Sequence, residues 1–227
     1  MWMQNNEDQP MVIVEDLVKS YNSDRAPLID CANLVLSKGE MALLVGRSGC
    51  GKTTLLNLIA GLDRPTSGRV VINGTCITDM SEDEKARFRL MNVGFVFQDY
   101  NLIQDLTILE NVTLPLKLAG NNGLEKAEKL LDIFDIANLG NEKANTVSGG
   151  EAQRATIARA MANNPKVLLA DEPTGNLDAE NEINVMNYFK KIQKEFKTTI
   201  LLATHNIELS DYGNRVLLFS SLGKPHA

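Results

Sequence analysis

The sequence predicts an α/β fold: a mainly parallel sheet built round a P-loop, an antiparallel β layer beside it, and a helical segment inserted into the core. Three observations carry that expectation. Gly46-Arg47-Ser48-Gly49-Cys50-Gly51-Lys52-Thr53 fits the phosphate-binding pattern G-x-x-x-x-G-K-[ST] at every fixed position. Short apolar runs alternate with helical stretches, the order of a sheet covered on both faces. Residues 101–163 read as mostly helical, and the sheet pattern resumes after them.

Taken in order, residues 1–10 are polar and acidic and read as a flexible tail rather than a secretory signal. Val12 to Val18 is an apolar-rich strand, and Cys31 to Leu36 alternates enough to be a second. Met41-Ala42-Leu43-Leu44-Val45 is a buried strand that feeds the glycine loop, and Thr54 to Ala60 is a helix stopped by Gly61. Asp63 to Gly68 is a turn cluster, and Arg69 to Asn73 another strand. Ser81 with Glu84, and Thr107 with Glu110, are capping boxes that open helices. Between them Val93 to Phe97 is a short strand ending at Gln98. Leu124, Ala127, Leu130, Leu131 and Phe134 share one helical face. Lys166 to Asp171 and Thr199 to Ala203 are buried strands, separated by a helix over Ala179 to Lys197, and Arg215 to Phe219 is the last strand.

At 227 residues, 44% hydrophobic and 23% charged, the chain suffices for a single domain over 1–227 with one packed core. A net charge of −6 argues against a broad electrostatic grip on nucleic acid, and no nucleic-acid partner is expected. No run approaches the roughly 18 apolar residues of a membrane span. Cys31, Cys50 and Cys76 form no CxxC and no metal-ligand pair, which fits a reducing cytoplasm.

The chemistry starts at the glycine loop. Triphosphate is a dense anion, and glycines let backbone N–H groups converge on it without a Cβ in the way. The helix N-terminus adds free donors and a positive dipole end. Gly46, Ser48, Gly49, Gly51, Thr53 and Thr54 therefore form the candidate nucleotide cradle, with Lys52 reaching the β- and γ-phosphates and the Thr53 hydroxyl on Mg²⁺. Asp171 and Glu172 sit where a buried strand delivers two carboxylates to its carboxyl end. Asp171 suits the Mg²⁺ shell, and Glu172 suits the base that orients the attacking water. Gln98 and His205 also end strands at that edge. Gln98 suits Mg²⁺ or the water, although each alone reads better as an ordinary strand end. Ser148-Gly149-Gly150-Glu151 opens a helix and is a second ready anion site, which a head-to-tail pair of chains would bring over its partner's nucleotide.

These residues, in this order, resemble the ATP-binding subunit of an ABC transporter, over about Val12 to Phe219. The resemblance implies that Tyr21 stacks on adenine, that Gln98 is the Q-loop, and that Val147 to Glu151 is the signature. It also makes Asp178 the D-loop carboxylate coupling two sites and His205 the switch histidine that supports the γ-phosphate. Val147 and Glu151 depart from the family's Leu and Gln, and Glu151 puts a negative charge near the phosphate contact. Gly61 to Gly68, Gly94 to Gln98 and Leu106 to Pro115 are similar to the lipoprotein-releasing and macrolide-exporter group. The resemblance implies ATP and Mg²⁺ as ligands, a head-to-tail homodimer, and a separate permease with a large extracytoplasmic domain. It also implies a peripheral position on the cytoplasmic face of the membrane. The competing expectation is a soluble ABC ATPase acting in translation or DNA repair.

Overall fold

A computed structural model describes residues 10–22 and 25–223. Five strands form an all-parallel sheet: β3 (Met41–Val45), β6 (Val93–Val96), β7 (Val167–Asp171), β8 (Thr199–Thr204) and β9 (Arg215–Leu218), in the spatial order β6-β7-β8-β3-β9. Four more form an antiparallel sheet, β1 (Pro10–Lys19), β2 (Ile29–Ser37), β4 (Ser67–Ile72) and β5 (Thr75–Cys76), ordered β2-β1-β4-β5. The two sheets are the parallel core and the β layer that the sequence led us to expect.

The continuous apolar runs have a simple cause. In a parallel sheet covered on both sides, alternate side chains enter different cores. Met41, Leu43 and Val45 of β3 join Leu168, Ala170, Ile200 and Leu202 in one core, with α3 (Ile108–Leu118), α4 (Leu124–Ile133), α5 (Gly149–Met161) and α6 (Ala179–Lys191). Ala42 and Leu44 join Val167, Leu169, Leu201 and Ala203 in the other, with α1 (Lys52–Ile59) and the antiparallel sheet. Leu43 and Leu44 are both fully buried, so truncating either leaves a cavity on its own side of the sheet.

Both capping boxes form. Ser81 opens α2 (Glu82–Asn92) and Thr107 opens α3, each with its Glu three residues on reaching back to the cap N–H at 2.8 Å. Boundaries differ from the sequence reading where tertiary contacts intervene. Pro10 pairs with Ser37 and so belongs to β1, while the tail expected over 1–10 otherwise lies outside the described residues. The first helix starts at Lys52, because Gly51 at φ +114 already turns the chain into it. The helix expected to reach Lys197 is α-helical to Lys191 and then widens into a π turn over Ile192–Phe196, stopped by Lys197 at φ 55. Among the described residues no helix is long and apolar enough to cross a membrane.

Candidate functional site

Parallel strands end on one edge of their sheet, and four of these endings carry the candidate residues. β3 runs into the glycine loop, β7 into Asp171-Glu172, β8 into Thr204-His205, and β6 into Gln98 two residues after its end. Backbone hydrogen bonds lace the edge together: Gly46 N–H donates to Thr204 O at 3.3 Å, and Glu172 N–H to Ala203 O at 2.9 Å.

A cavity of about 180 Å³ opens there, lined by Leu28, Ser48, Gly49, Gly51, Lys52, Thr53, Thr54, Gln98 and Glu172. Gly51 requires glycine twice over. Its φ is +114, and a Cβ would meet the Phe219 ring at 3.0 Å and Leu28 at 3.3 Å. Lys52 is 5% exposed and points back into the loop, donating to Gly46 O at 2.8 Å and Arg47 O at 3.2 Å. Its ammonium also stands 3.1 Å from Glu172 Oε1. The other oxygen, Oε2, accepts from His205 N–H at 3.2 Å and lies 2.8 Å from His205 Nδ1. One carboxylate thus bridges the loop lysine and the histidine. Glu172 holds this pose at φ 45, a left-handed conformation that costs a branched or long side chain roughly 1–3 kcal/mol and persists only when its surroundings fix it.

Asp171 is buried, and its Oδ1 has no hydrogen-bond partner. Burial pushes its carboxyl above the ordinary range; a hydrogen bond from Thr53 pulls it down, the Glu172 charge pushes it up, and Lys52 pulls it down again. A dry, unpaired carboxylate oxygen beside a hydroxyl fits a hard divalent cation that keeps phosphate and water ligands. No cluster of three or more His, Cys, Asp or Glu among the described residues could hold a metal by itself. These donors fit a hard divalent cation that completes its shell with other oxygen ligands.

The same observation sets an expected result. Asp171→Asn removes a buried negative charge, so it is expected to raise the nucleotide-free melting temperature at pH 7 by about 3 °C, equivalent to roughly 1 kcal/mol. The sign follows from a raised folded-state pKa. The penalty is full above that pKa and vanishes once the carboxyl is protonated in both states. The gain should therefore shrink as pH falls into the carboxylate range, and scanning calorimetry across pH reads it. A lower melting temperature at pH 7 would mean the carboxylate is already compensated.

The structure does not bring every expected residue into this cavity. Ser148, Gly149, Gly150 and Glu151 open α5 and do not line it. Glu151 accepts from Ser148 N–H at 2.8 Å and from the Ser148 hydroxyl at 2.7 Å, and these bonds hold its carboxyl below the ordinary range. Its charge is thus spent on its own helix cap. Asp178 caps α6, accepting from Asn181 N–H at 2.9 Å, and that bond lowers its pKa. A Cβ on Gly150 would stand 2.6 Å from Asn181 Oδ1, so the Asp178 and Ser148 helix starts are packed side by side. Tyr21 follows β1 and is 67% exposed.

Sequence reasoning passed over a brace behind Gln98. Tyr100 and Asn101 both adopt left-handed conformations, at φ 60 and 51. Arg159 of α5 donates to Asn101 O at 2.6 Å and to Tyr100 O at 3.0 Å, and Thr156 donates to Tyr100 O at 3.1 Å. Burial lowers the Arg159 pKa. The available signal was Arg159 one helical period from Thr156 on the buried side of the signature helix.

Comparison with known proteins places this geometry. A family model described as ABC transporter matches residues 29–175. The chain is 44% identical over 199 residues to the ABC transporter ATP-binding protein YtrE of Bacillus subtilis, covering 86% of each. It is 37% identical over 214 residues to the macrolide export ATP-binding/permease protein MacB of Syntrophobacter fumaroxidans, covering 91% of this chain and 30% of that one. Among solved structures, a dimeric post-hydrolysis state of the ATP-binding cassette MJ0796, bound to ADP and Pi, superposes with a TM-score of 0.84 at 37% identity, covering 92% of this chain and 94% of that one.

Proposed function

The chain belongs to the ABC transporter family, and on that premise we propose that it drives a separate membrane permease, closing head to tail with a second copy of itself on ATP. The observation that carries the reading is the Lys52–Glu172–His205 junction at the mouth of the glycine-lined cavity. It holds a phosphate-binding cation, a base and a second polar group within reach of one substrate position.

In the proposed cycle Tyr21 stacks on adenine. Gly46, Ser48, Gly49, Gly51 and Thr54 contribute backbone to the phosphate cradle, and Lys52 turns from Glu172 to the β- and γ-phosphates. Thr53, Asp171 and Gln98 would hold Mg²⁺, which would offset the negative charge of the phosphates. Glu172, once released from Lys52, accepts hydrogen bonds from the attacking water, and His205 supports that water and the γ-phosphate. Ser148, Gly149 and Gly150 of one chain cover the γ-phosphate bound by the other, and Asp178 couples the two sites. Catalysis here is positioning and electrostatics, as phosphoryl transfer demands.

The dimeric MJ0796 cassette supports the paired arrangement, and the export ATP-binding/permease relative supports a membrane partner. The transporter names of the relatives favour this over a soluble cassette acting in translation or DNA repair. The permease's cytoplasmic segment would meet the chain beside Gln98. There a cavity of about 420 Å³ lies between Phe95, Phe97, Pro115, Ala160 and Arg159. Export, lipoprotein release or mechanotransmission is the expected outcome, through a permease with a large extracytoplasmic domain and with this chain peripheral on the cytoplasmic face.

Co-purification of the tagged chain from native membranes in mild detergent tests the transport reading. A stoichiometric permease supports it, and soluble partners alone overturn it. A sharper test of the composite site is Ser148→Arg. Because Ser148 is exposed and does not line the chain's own cavity, the variant should bind ATP like the parent. In a hydrolysis-blocked background it should fail to dimerise on ATP by size-exclusion chromatography. Normal dimerisation would count against the shared site.

A further inference from the structure

Tyr21 is a built platform rather than a loose side chain. Its hydroxyl donates to Asp63 Oδ2 at 2.9 Å. The Lys19 ammonium lies 4.6 Å from the centre of its ring. That ammonium is itself fixed, donating to Asp63 Oδ1 at 2.7 Å and Arg64 O at 2.8 Å, and Lys19 is only 8% exposed. Burial pushes the Asp63 carboxyl up, but hydrogen bonds from Lys19, Tyr21 and the Arg64 N–H together outweigh it and keep the group ionised. Two further bonds pin the strand end to the same turn: Ser20 N–H to Thr66 Oγ1 at 3.0 Å, and Thr66 N–H to Val18 O at 2.8 Å. The platform is tied to the phosphate cavity as well. Leu28 N–H donates to Lys19 O at 2.8 Å, and Leu28 lines the cavity against Gly51.

We propose that Asp63, acting with Lys19, is the positioning residue for the nucleobase. The ammonium occupies one face of the Tyr21 ring and leaves the other to the base. A cation on one face draws electron density toward itself. The free face then suits a neutral, electron-rich purine stacked in offset fashion and repels a second cation. The hydroxyl tether removes the ring's rotational freedom before the base arrives, so less ordering is left for binding to supply. Asp63 touches no nucleotide in this scheme; it acts through the ring. The inference rests on the stacking role proposed above for Tyr21.

The test compares ATP with inorganic tripolyphosphate, which has no base, by calorimetric titration of the full chain. Tyr21→Ala is expected to weaken ATP by about tenfold, the loss of a stacked aromatic contact, and to leave tripolyphosphate unchanged. Asp63→Asn, which keeps the shape and the acceptor for Arg64 N–H, is expected to weaken ATP by about three- to tenfold with tripolyphosphate again unchanged. Tyr21→Phe removes the same tether from the other side without touching the turn, so it should reproduce that selective loss. The Tyr21→Phe, Asp63→Asn double variant should then lose less than the sum of the two. If Tyr21→Ala weakens ATP while Asp63→Asn and Tyr21→Phe do not, the stacking role stands and the Asp63 inference is overturned. Should Tyr21→Ala leave ATP affinity unchanged, the stacking reading fails and takes this inference with it. Equal losses for ATP and tripolyphosphate in Asp63→Asn would reduce Asp63 to a structural turn residue.

Discussion

Glu172→Gln is expected to lower ATP turnover by about 10²- to 10⁴-fold, the usual range for removing a general base, while nucleotide binding survives. Gln keeps the size and one hydrogen-bond acceptor of Glu but cannot take a proton or carry the charge. The geometry adds a second, less obvious expectation. Glu172 holds Lys52 at 3.1 Å in a site where both side chains are mostly buried, at 13% and 5% exposure. Triphosphate must take Lys52 away from that carboxylate. With Gln in its place the competitor is gone, so ATP should bind at least as tightly as to the parent. Phosphate release and equilibrium titration on one preparation read both effects. Parental turnover would remove Glu172 from the role of base. Weakened ATP binding would mean that the Lys52 contact assists the nucleotide rather than competes with it.

Lys52→Ala is expected to weaken ATP by about 100-fold, or roughly 3 kcal/mol, the scale of a charged hydrogen-bond donor lost from a dry site. Lys52 is the cation that lines the cavity, and its ammonium is already desolvated, so it pays little to meet the phosphates. The loss should be nearly the same for ATP and ADP if Lys52 serves mainly the β-phosphate, and larger for ATP if it serves the γ-phosphate. Unchanged affinity in equilibrium titration would sink the phosphate-loop assignment.

Much of this was legible in the chain. The runs Met41 to Val45, Lys166 to Asp171 and Thr199 to Ala203 could only be strands covered on both faces, and the alternation of their side chains between two cores bears this out. Ser81 with Glu84 and Thr107 with Glu110 announced two helices by local hydrogen bonding alone. Strand order was not legible, because nothing local in β3 says that β8 and β9 flank it. Nor was β5, which is two residues long. Lys52 and Thr53 were legible in the glycine-loop pattern, Glu172 in its strand end and Gln98 through the family resemblance, whereas the ion pair between Lys52 and Glu172 was not. It depends on the left-handed turn at Glu172, which no pattern marks. Asp63 read only as a turn residue, since its partners Lys19 and Tyr21 lie more than forty positions earlier.

The anchoring of Tyr100 and Asn101 on α5 has a mechanical meaning. Thr156, midway along a 13-residue rod, and Arg159, near its far end, hook the segment behind Gln98, and Ser148 caps the near end. At 1.5 Å per residue Arg159 and Ser148 are about 16 Å apart. A tug at the hooks is then a torque, and a tilt of about 6° about that pivot swings the serine tip by about 1.6 Å, half the reach of a hydrogen bond. The segment behind Gln98 and the Ser148 turn are thus two ends of one rigid body, so neither shifts without moving the other.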